Sequence, residues 1–176
     1  VIDRLHPPRL LCRIADMNRR YFLSIAALGG AAALVAAQAR AAPRPKGQPG
    51  WQLAEAEWKK RLSPRQYYVL REAGTERPFS HPLDKEKRKG RFACAGCKLP
   101  LFDSRTKYDS GTGWPSFYAP LPGAIGTMTD YDIGYPRTEV HCRRCGGHLG
   151  HVFDDGPKPT GKRYCMNGTA MIFTPA

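Results

Sequence analysis

Two closely spaced cysteine pairs constrain what this chain can fold into more than any other feature of its sequence. The first pair is Cys94 and Cys97, the second is Cys142 and Cys145, and both have the spacing CxxC. Two such pairs supply four thiolates, the usual ligand set of a tetrahedral structural zinc ion. A site of this kind is coordinatively closed, so the metal holds the fold and does not activate water. The sequence therefore predicts one structural Zn²⁺ per chain.

Two other interpretations of these cysteines stay open at this point. Each CxxC could be a redox dithiol, although two such motifs without a βαβ pattern argue against that reading. Alternatively, the second pair could bind a metal together with His148 and His151. That HxxH spacing is shorter than in the usual zinc finger, and it would leave the first pair without a metal.

The rest of the chain predicts a mainly β fold. The 176 residues suit one domain, and 18 glycines and 16 prolines favour turns and short strands. Segments 91–94, 138–141 and 162–173 alternate or carry strand-forming residues, and turn residues bound them. We therefore expect antiparallel β-sheets joined by the four-cysteine zinc clamp.

A short helical pair is predicted ahead of the sheets. Residues 53–62 have helix formers with apolar side chains at helical spacing. Ser63, Pro64 and Gln66 then form a capping-box start for a second helix. We expect that helix to run to about Ala73, with Gly74 in the C′ position.

The N-terminal segment has the pattern of an export signal. Arg19-Arg20 precedes an apolar stretch over 21–37, and small residues at signal-peptidase spacing follow. The segment resembles a bacterial twin-arginine signal, so we expect export to the periplasm, although an uncleaved membrane anchor is the competing interpretation. Residues 1–16 are expected to be an upstream extension, which places Cys12 outside the mature protein. The predicted organisation is an extension plus signal over 1–41, a linker over 42–50 and a domain over 51–176.

The net charge of +13 is compatible with nucleic acid, anionic lipid or acidic protein partners. No basic stripe with interleaved aromatic residues is present, and the basic run 85–89 includes an acid, as in a solvated loop. We therefore expect a soluble monomer that binds no nucleic acid and makes no stable membrane insertion after signal cleavage.

Cys165 has no partner once a metal takes the other four cysteines of the mature chain. It could be an inert buried thiol or a reactive one. In a strand, Arg163, Cys165 and Asn167 share one face, where the cation lowers the pKa of the thiol and the amide can donate to an oxygen held at the sulfur. His148 and His151 follow the second cysteine pair, and Gly150 permits a bend that brings both rings to one site as candidate proton donors.

Three segments together resemble one enzyme family. Residues 110–117 (SGTGWPSF), 148–153 (HLGHVF) and 163–167 (RYCMN) are similar to the signature blocks of methionine sulfoxide reductase B, and the CxxC pairs fall where its zinc-containing members carry theirs. The resemblance covers about 62–173. It implies antiparallel sheets of the β-tent type and a zinc clamp remote from the active site. It also implies reduction of the R epimer of methionine sulfoxide in peptides, with the free amino acid as a second candidate substrate.

The resemblance also implies roles for particular residues. It makes Cys165 the nucleophile that becomes a sulfenic acid, with His148, His151 and Asn167 around the sulfoxide oxygen. It assigns substrate binding to three further residues, Trp114, Arg163 and Phe117. The implied partners are oxidised proteins or peptides and an external thiol reductant such as a thioredoxin-like protein.

One position departs from the pattern of the family. Many members carry a resolving cysteine just before GWPSF, where this chain has Thr112. We therefore expect a one-cysteine cycle in which an external thiol reduces Cys165 directly. Two alternative functions stay open, an exported zinc-ribbon-like binding module without catalytic activity and a periplasmic protein that acts on disulfides.

Overall fold

The two N-terminal helices are shorter than predicted, and the second begins where the capping signal indicates. The computed structural model describes residues 45–176, so the predicted export signal and Cys12 lie outside the described residues. Helix α1 spans Glu55–Arg61 and α2 spans Pro64–Glu72. The backbone N–H of Gln66 donates to Ser63 Oγ at 3.3 Å, and the N–H of Ser63 donates to Gln66 Oε1 at 3.1 Å, which confirms the capping box. In the described part of the chain, no helix has the length and apolar character needed to span a membrane.

The end of α2 differs from the prediction. Ala73, and not Gly74, takes the left-handed conformation, with φ of 53°. Gly74 is required for a different reason, because a side chain there would clash with the ring of Tyr68. The glycine therefore serves a close approach to the helix rather than its C-terminal turn.

The predicted linker is not a free spacer over its described part. The N–H of Gln48 donates to the carbonyl of Arg144 at 2.8 Å, within the second cysteine loop. A side chain at Gly146 would clash with the carbonyl oxygen of Pro45. Residues 45–48 thus pack directly on that loop.

Within residues 45–176, nine strands form two antiparallel sheets, which confirms the predicted fold class. The smaller sheet has the order β2-β1-β9 and the larger has the order β3-β4-β8-β7-β6-β5. The strands are β1 (Gly90–Cys94), β2 (Pro100–Asp103), β3 (Lys107–Tyr108), β4 (Ser116–Phe117), β5 (Ile125–Asp130), β6 (Arg137–Cys142), β7 (His148–Phe153), β8 (Arg163–Met166) and β9 (Met171–Pro175).

The predicted run 162–173 is two strands in different sheets. A 3-10 turn over Gly168–Ala170 separates β8 from β9, and a side chain at Gly168 would clash with the ring of His81. Strand β8 pairs with β4 and β7 in the larger sheet, whereas β9 pairs with β1 in the smaller one. This break places Cys165 in the interior of the larger sheet.

An aromatic cluster forms the centre of the core. The rings of Phe102 and Phe117 stack at 4.3 Å between centroids, and the ring of Phe92 meets Phe117 edge-on at 5.0 Å. All three side chains are completely buried. Because β1 and β2 belong to the smaller sheet and β4 to the larger, this contact packs one sheet on the other.

Candidate active site and metal centre

The four paired cysteines converge into one buried cluster. Their Sγ atoms all lie within 4.8 Å of one another, with 3.7 Å between Cys94 and Cys145 and 3.5 Å between Cys97 and Cys142. A tetrahedral zinc ion with Zn–S bonds of about 2.3 Å needs sulfur–sulfur separations of about 3.8 Å. The cluster can therefore hold a metal ion, and its geometry fits zinc.

The two cysteine loops repeat one backbone arrangement. In each, the N–H of the first cysteine donates to the carbonyl five residues later, and the N–H four residues later donates back to its carbonyl, at 2.8–2.9 Å. The fifth residue of each loop is left-handed, Lys98 with φ of 61° and Gly146 with φ of 68°. Glycine adopts this conformation without steric cost at Gly146, whereas Lys98 adopts it at the equivalent position of the first loop.

A separate pocket contains the fifth cysteine. It has a volume of about 130 Å³ and includes four residues predicted for the site, Trp114, His151, Cys165 and Asn167. The rest of its lining is Thr75, Arg137, Gly150 and Phe153. Cys165 is partly buried in β8 and lies directly across from His151 in β7. Side chains of direct cross-strand partners share a face, so the thiol and the imidazole face the same side of the sheet.

A bulge brings the two histidines together although they are three residues apart. Gly150 pairs with Val140 and His148 pairs with His141, so β7 contains one extra residue at this point. The ring centroids of His148 and His151 are 5.4 Å apart. A side chain at Gly150 would clash with the carbonyl oxygen of Cys165, which explains the glycine and confirms the predicted bend.

Each histidine is paired with a buried carboxylate that the sequence analysis missed. His148 Nδ1 lies 2.7 Å from Glu139 Oε1, and His151 Nε2 contacts Asp130 Oδ2. Arg137 holds the same Asp130 carboxylate at 3.0 Å. These hydrogen bonds engage both rings away from the cysteine cluster, which argues against the alternative metal site with two histidines. No local motif marks the carboxylates, because strand register alone brings them to the rings.

Burial dominates the protonation of Cys165 and His151. It raises the pKa of the Cys165 thiol, and the hydroxyl of Thr112 and the charge of Arg163 only partly oppose this shift. Arg163 lowers the pKa of the thiol, as predicted, but desolvation of the thiolate is the larger effect. Burial likewise lowers the pKa of His151, against the opposing effect of the hydrogen bond that its ring donates to Asp130.

Arg163 lies beside the pocket and does not line it. Its guanidinium pairs with Asp155 at 2.7 Å and lies 4.4 Å from the centroid of the Phe153 ring. These contacts fix the cation against one wall of the pocket. The structure thus supports a positioning role for Arg163. Its charge lowers the pKa of Cys165 from this position.

The segment after α2 fixes two residues of the pocket. Trp114 Nε1 donates to the carbonyl of Glu76 at 3.1 Å, and the N–H of Glu76 donates to Asn167 Oδ1 at 3.0 Å. Asn167 Nδ2 donates to the carbonyl of Leu149 at 3.1 Å, which leaves one amide hydrogen for another acceptor. Glu76 therefore positions both the indole and the amide, a role that the sequence analysis did not assign.

Phe117 is not where the resemblance placed it. Its side chain is completely buried against Phe92 and Phe102 and is absent from the lining of the pocket. Strand alternation explains the difference: Ser116 pairs with Cys165 and shares its face, whereas Phe117 points to the other side of the sheet. Phe117 is a core residue.

Thr112 connects Cys165 to a chain of hydroxyl groups. Thr112 Oγ1 lies 3.9 Å from Cys165 Sγ and 2.8 Å from Ser110 Oγ, which lies 2.7 Å from Ser116 Oγ. Ser116 Oγ in turn donates to the carbonyl of Trp114 at 3.1 Å. A hydroxyl can donate or accept, so this chain can orient toward either the thiol or the thiolate of Cys165.

The fold and the pocket of Cys165 define a thiol-dependent oxidoreductase, and its four buried cysteines could hold a metal ion. Residues 62–175 match the model of the SelR domain. The chain belongs to the family of peptide methionine sulfoxide reductases MsrB, as the resemblance of its motifs predicted.

Named relatives support this assignment over most of the domain. The MsrB of Agrobacterium fabrum is 54% identical over 123 residues, which are 69% of this chain and 91% of the relative. The MsrB of Methanosarcina barkeri is 54% identical over 121 residues, or 68% and 85% of the two chains. Peptide methionine sulfoxide reductase B1 of Arabidopsis thaliana, described as chloroplastic, is 56% identical over 120 residues, or 68% and 59%.

Proposed function

We propose that this chain reduces methionine R-sulfoxide to methionine, with Cys165 as the nucleophile. The observation that carries the proposal is the pocket in which Cys165 faces His151 beside the Trp114 indole. Its small volume suits one unbranched side chain, and the indole offers an apolar wall for the methyl group on sulfur. The family relationship supplies the substrate class, and the pocket supplies the reacting groups.

The reaction balances with the groups present. The Cys165 sulfur attacks the sulfoxide sulfur, the S–O bond breaks, and the oxygen ends on Cys165 as a sulfenic acid while methionine leaves. The sulfoxide oxygen is a poor leaving group until it is protonated, so an adjacent acid is needed. His151, which lines the pocket, and His148, whose ring centroid lies 5.4 Å from that of His151, are the candidates. The hydrogen bond to Asp130 favours the protonated form of His151. The remaining amide hydrogen of Asn167 can hold the oxygen.

Recycling of Cys165 requires an external reductant. Of the described cysteines, the other four form the buried cluster that could hold a metal ion, and Thr112 lies near the Cys165 sulfur. Two external thiols reduce the sulfenic acid, releasing water and forming one disulfide between themselves. A thioredoxin-like protein is the kind of reductant we propose, and oxidised proteins or peptides are the proposed substrates.

The metal proposed for the cysteine cluster is zinc, in a structural role. Cys94, Cys97, Cys142 and Cys145 would all be ligands, which leaves no open coordination position for chemistry. The ion would join the turn after β1 to the turn after β6. The zinc-ribbon alternative has no support among the relatives described above.

We also propose export through a twin-arginine route, followed by cleavage of the signal. The support is the Arg19-Arg20 pair and the apolar stretch over 21–37. That route carries folded proteins, so the four clustered thiols would already hold their metal when they reach an oxidising compartment. N-terminal sequencing of protein from a periplasmic fraction tests this; a mature start after residue 37 supports it, and an intact N-terminus in the cytoplasm contradicts it.

One assay tests the activity directly. Metal-loaded protein is incubated with dithiothreitol and with either the R or the S epimer of N-acetylmethionine sulfoxide, and methionine formation is measured. We expect turnover of the R epimer only, and its loss in Cys165→Ser with metal content and melting temperature retained. In a single turnover without reductant, mass spectrometry should find one added oxygen on Cys165. Absence of turnover with either epimer would exclude the proposed function.

A further inference from the structure

One carboxylate oxygen of Asp130 is shared by two side chains of the pocket. Asp130 Oδ2 contacts His151 Nε2, and it also accepts a hydrogen bond from the guanidinium of Arg137 at 3.0 Å. The other oxygen, Oδ1, accepts from the backbone N–H of Asp132 at 2.8 Å. Burial raises the pKa of Asp130, but these hydrogen bonds together outweigh it and hold that pKa below its ordinary value. Asp130 therefore carries its negative charge at neutral pH.

Strand register places Arg137 on the same side of the larger sheet as His151. Arg137 lies across from Asp130, and Glu139, two residues further along β6, lies across from His151. Residues two apart in a strand share a face, so the side chain of Arg137 points to the side of the pocket, which it lines. Only 19% of this side chain is exposed, and its Nε is buried without a hydrogen-bond partner in the described part of the chain. Water therefore screens its charge poorly.

The charges of this cluster balance while His151 is neutral. Arg137 and Asp130 then compensate each other, and protonation of His151 adds a second positive charge to a buried site. A nearby like charge disfavours the charged form of a titratable group. Without Arg137, the Asp130 carboxylate would pair with the imidazolium alone and hold its proton more tightly.

The remaining groups around His151 have partners of their own or carry no charge. Those that can be charged are Glu139 of β6, His148 of β7, and Cys165 and Arg163 of β8. Glu139 bonds to His148 at 2.7 Å, and Arg163 is paired with Asp155. Burial holds Cys165 in its thiol form by raising its pKa. The rest of the pocket lining is uncharged: Thr75, Trp114, Gly150, Phe153 and Asn167.

We propose that Arg137 is a positioning residue that makes His151 a stronger acid, because it shares the Asp130 carboxylate with the imidazole. The inference rests on the proposed function and deepens it, since it names His151 as the proton donor and Arg137 as the group that sets its strength. In the reaction, the proton leaves His151 for the oxygen that ends on Cys165, and solvent restores it. A general acid gives up its proton more readily when it holds that proton less tightly, as long as it is still protonated near the working pH.

The direct test is the pKa of His151, measured by NMR in metal-loaded protein with isotopically labelled histidine. Arg137→Gln removes the charge and Arg137→Lys retains it. The matched control is Arg105→Gln, which breaks an exposed pair with Asp103. We expect Arg137→Gln to raise the pKa of His151 by about one pH unit, and the other two variants to leave it unchanged.

Two results of this titration would overturn the proposal. One is an unchanged or lowered pKa of His151 in folded Arg137→Gln. The other is a wild-type pKa of His151 above its ordinary value of about 6.5, which needs no variant to fold. Such a value would mean that the Asp130 carboxylate holds the proton of His151 in spite of Arg137.

The pH profile of a single turnover tests the consequence for the reaction. Reduction of N-acetylmethionine R-sulfoxide is measured without reductant. In Arg137→Gln the maximal rate should be lower, and the fall at high pH should begin about one pH unit higher. A lower rate at every pH without a shift of the profile would show a merely structural role and refute the proposal. Because the NMR titration needs no turnover, a shifted pKa in a protein that reduces no sulfoxide would refute the proposed function alone.

Discussion

Cys165 and His151 are direct cross-strand partners in the centre of the larger sheet. The imidazole reaches this position with its far nitrogen bonded to Asp130, a residue of β5 two strands away from β7. Strand pairing therefore sets the distance between the proposed nucleophile and acid, and the carboxylate sets the orientation of the ring. This arrangement allows the roles of the two groups to be tested separately.

The first prediction concerns Asp130→Asn. The carboxylate raises the pKa of His151 against the larger effect of burial, so its loss lowers that pKa further. A smaller fraction of His151 is then protonated at a given pH. In a plot of the single-turnover rate against pH, the fall at high pH should therefore begin at lower pH. We expect the rate at neutral pH to fall about a hundredfold. The exposed neighbour Asp132→Asn is the control, and a pH profile identical to wild type would exclude His151 as the acid.

The second prediction concerns the ionisation of Cys165. Burial raises the pKa of this thiol, while the Thr112 hydroxyl lowers it. The rate of alkylation by iodoacetamide should therefore rise with pH through a midpoint above that of an ordinary cysteine. Thr112→Val should move the midpoint higher still, whereas Thr112→Ser, which keeps a hydroxyl, should retain it. A wild-type midpoint below the ordinary value would contradict the dominance of burial.

The third prediction concerns the metal cluster. Cys142→Ser removes one ligand from the buried four-cysteine set, so the protein should lose its zinc and more than about 4 kcal/mol of stability. Elemental analysis and chemical denaturation measure the two effects. Cys165→Ser is the matched control, since it removes a thiol outside the cluster and should leave one zinc per chain. A stable Cys142→Ser protein with full zinc content would refute the four-cysteine site.

The fourth prediction follows from the position of Phe117 in the core. Phe117→Ala removes a completely buried ring that stacks on Phe102, and it should destabilise the protein by about 3–5 kcal/mol. Phe117→Leu should lower the free energy of unfolding by less. Both variants should have the wild-type KM when assayed at temperatures where they are folded. A selective rise in KM with unchanged stability would return Phe117 to the substrate site.

Sequence reasoning was most accurate where one local signal dictates one structure. The Ser63 capping box, the mainly β fold class and the grouping of Cys94 and Cys97 with the second cysteine pair all followed from spacing and residue type. It was least accurate where two distant segments meet. Ala73, and not Gly74, takes the left-handed conformation at the end of α2. The ring of Tyr68 packs on Gly74 instead, a contact that spacing does not reveal.

The sequence by itself determined which four cysteines form the cluster, that Cys165 lies outside it, and the family, because these depend on residue types at fixed spacing. The tertiary structure alone decided that Asp130 and Glu139 hold the two histidines, that Glu76 positions Trp114, and that Phe117 faces the core. Strand register and burial produce these relationships. A one-residue change in register would turn the side chains that now face Cys165 to the other side of the sheet. The desolvation that raises the pKa of Cys165 exists only once the sheets have packed.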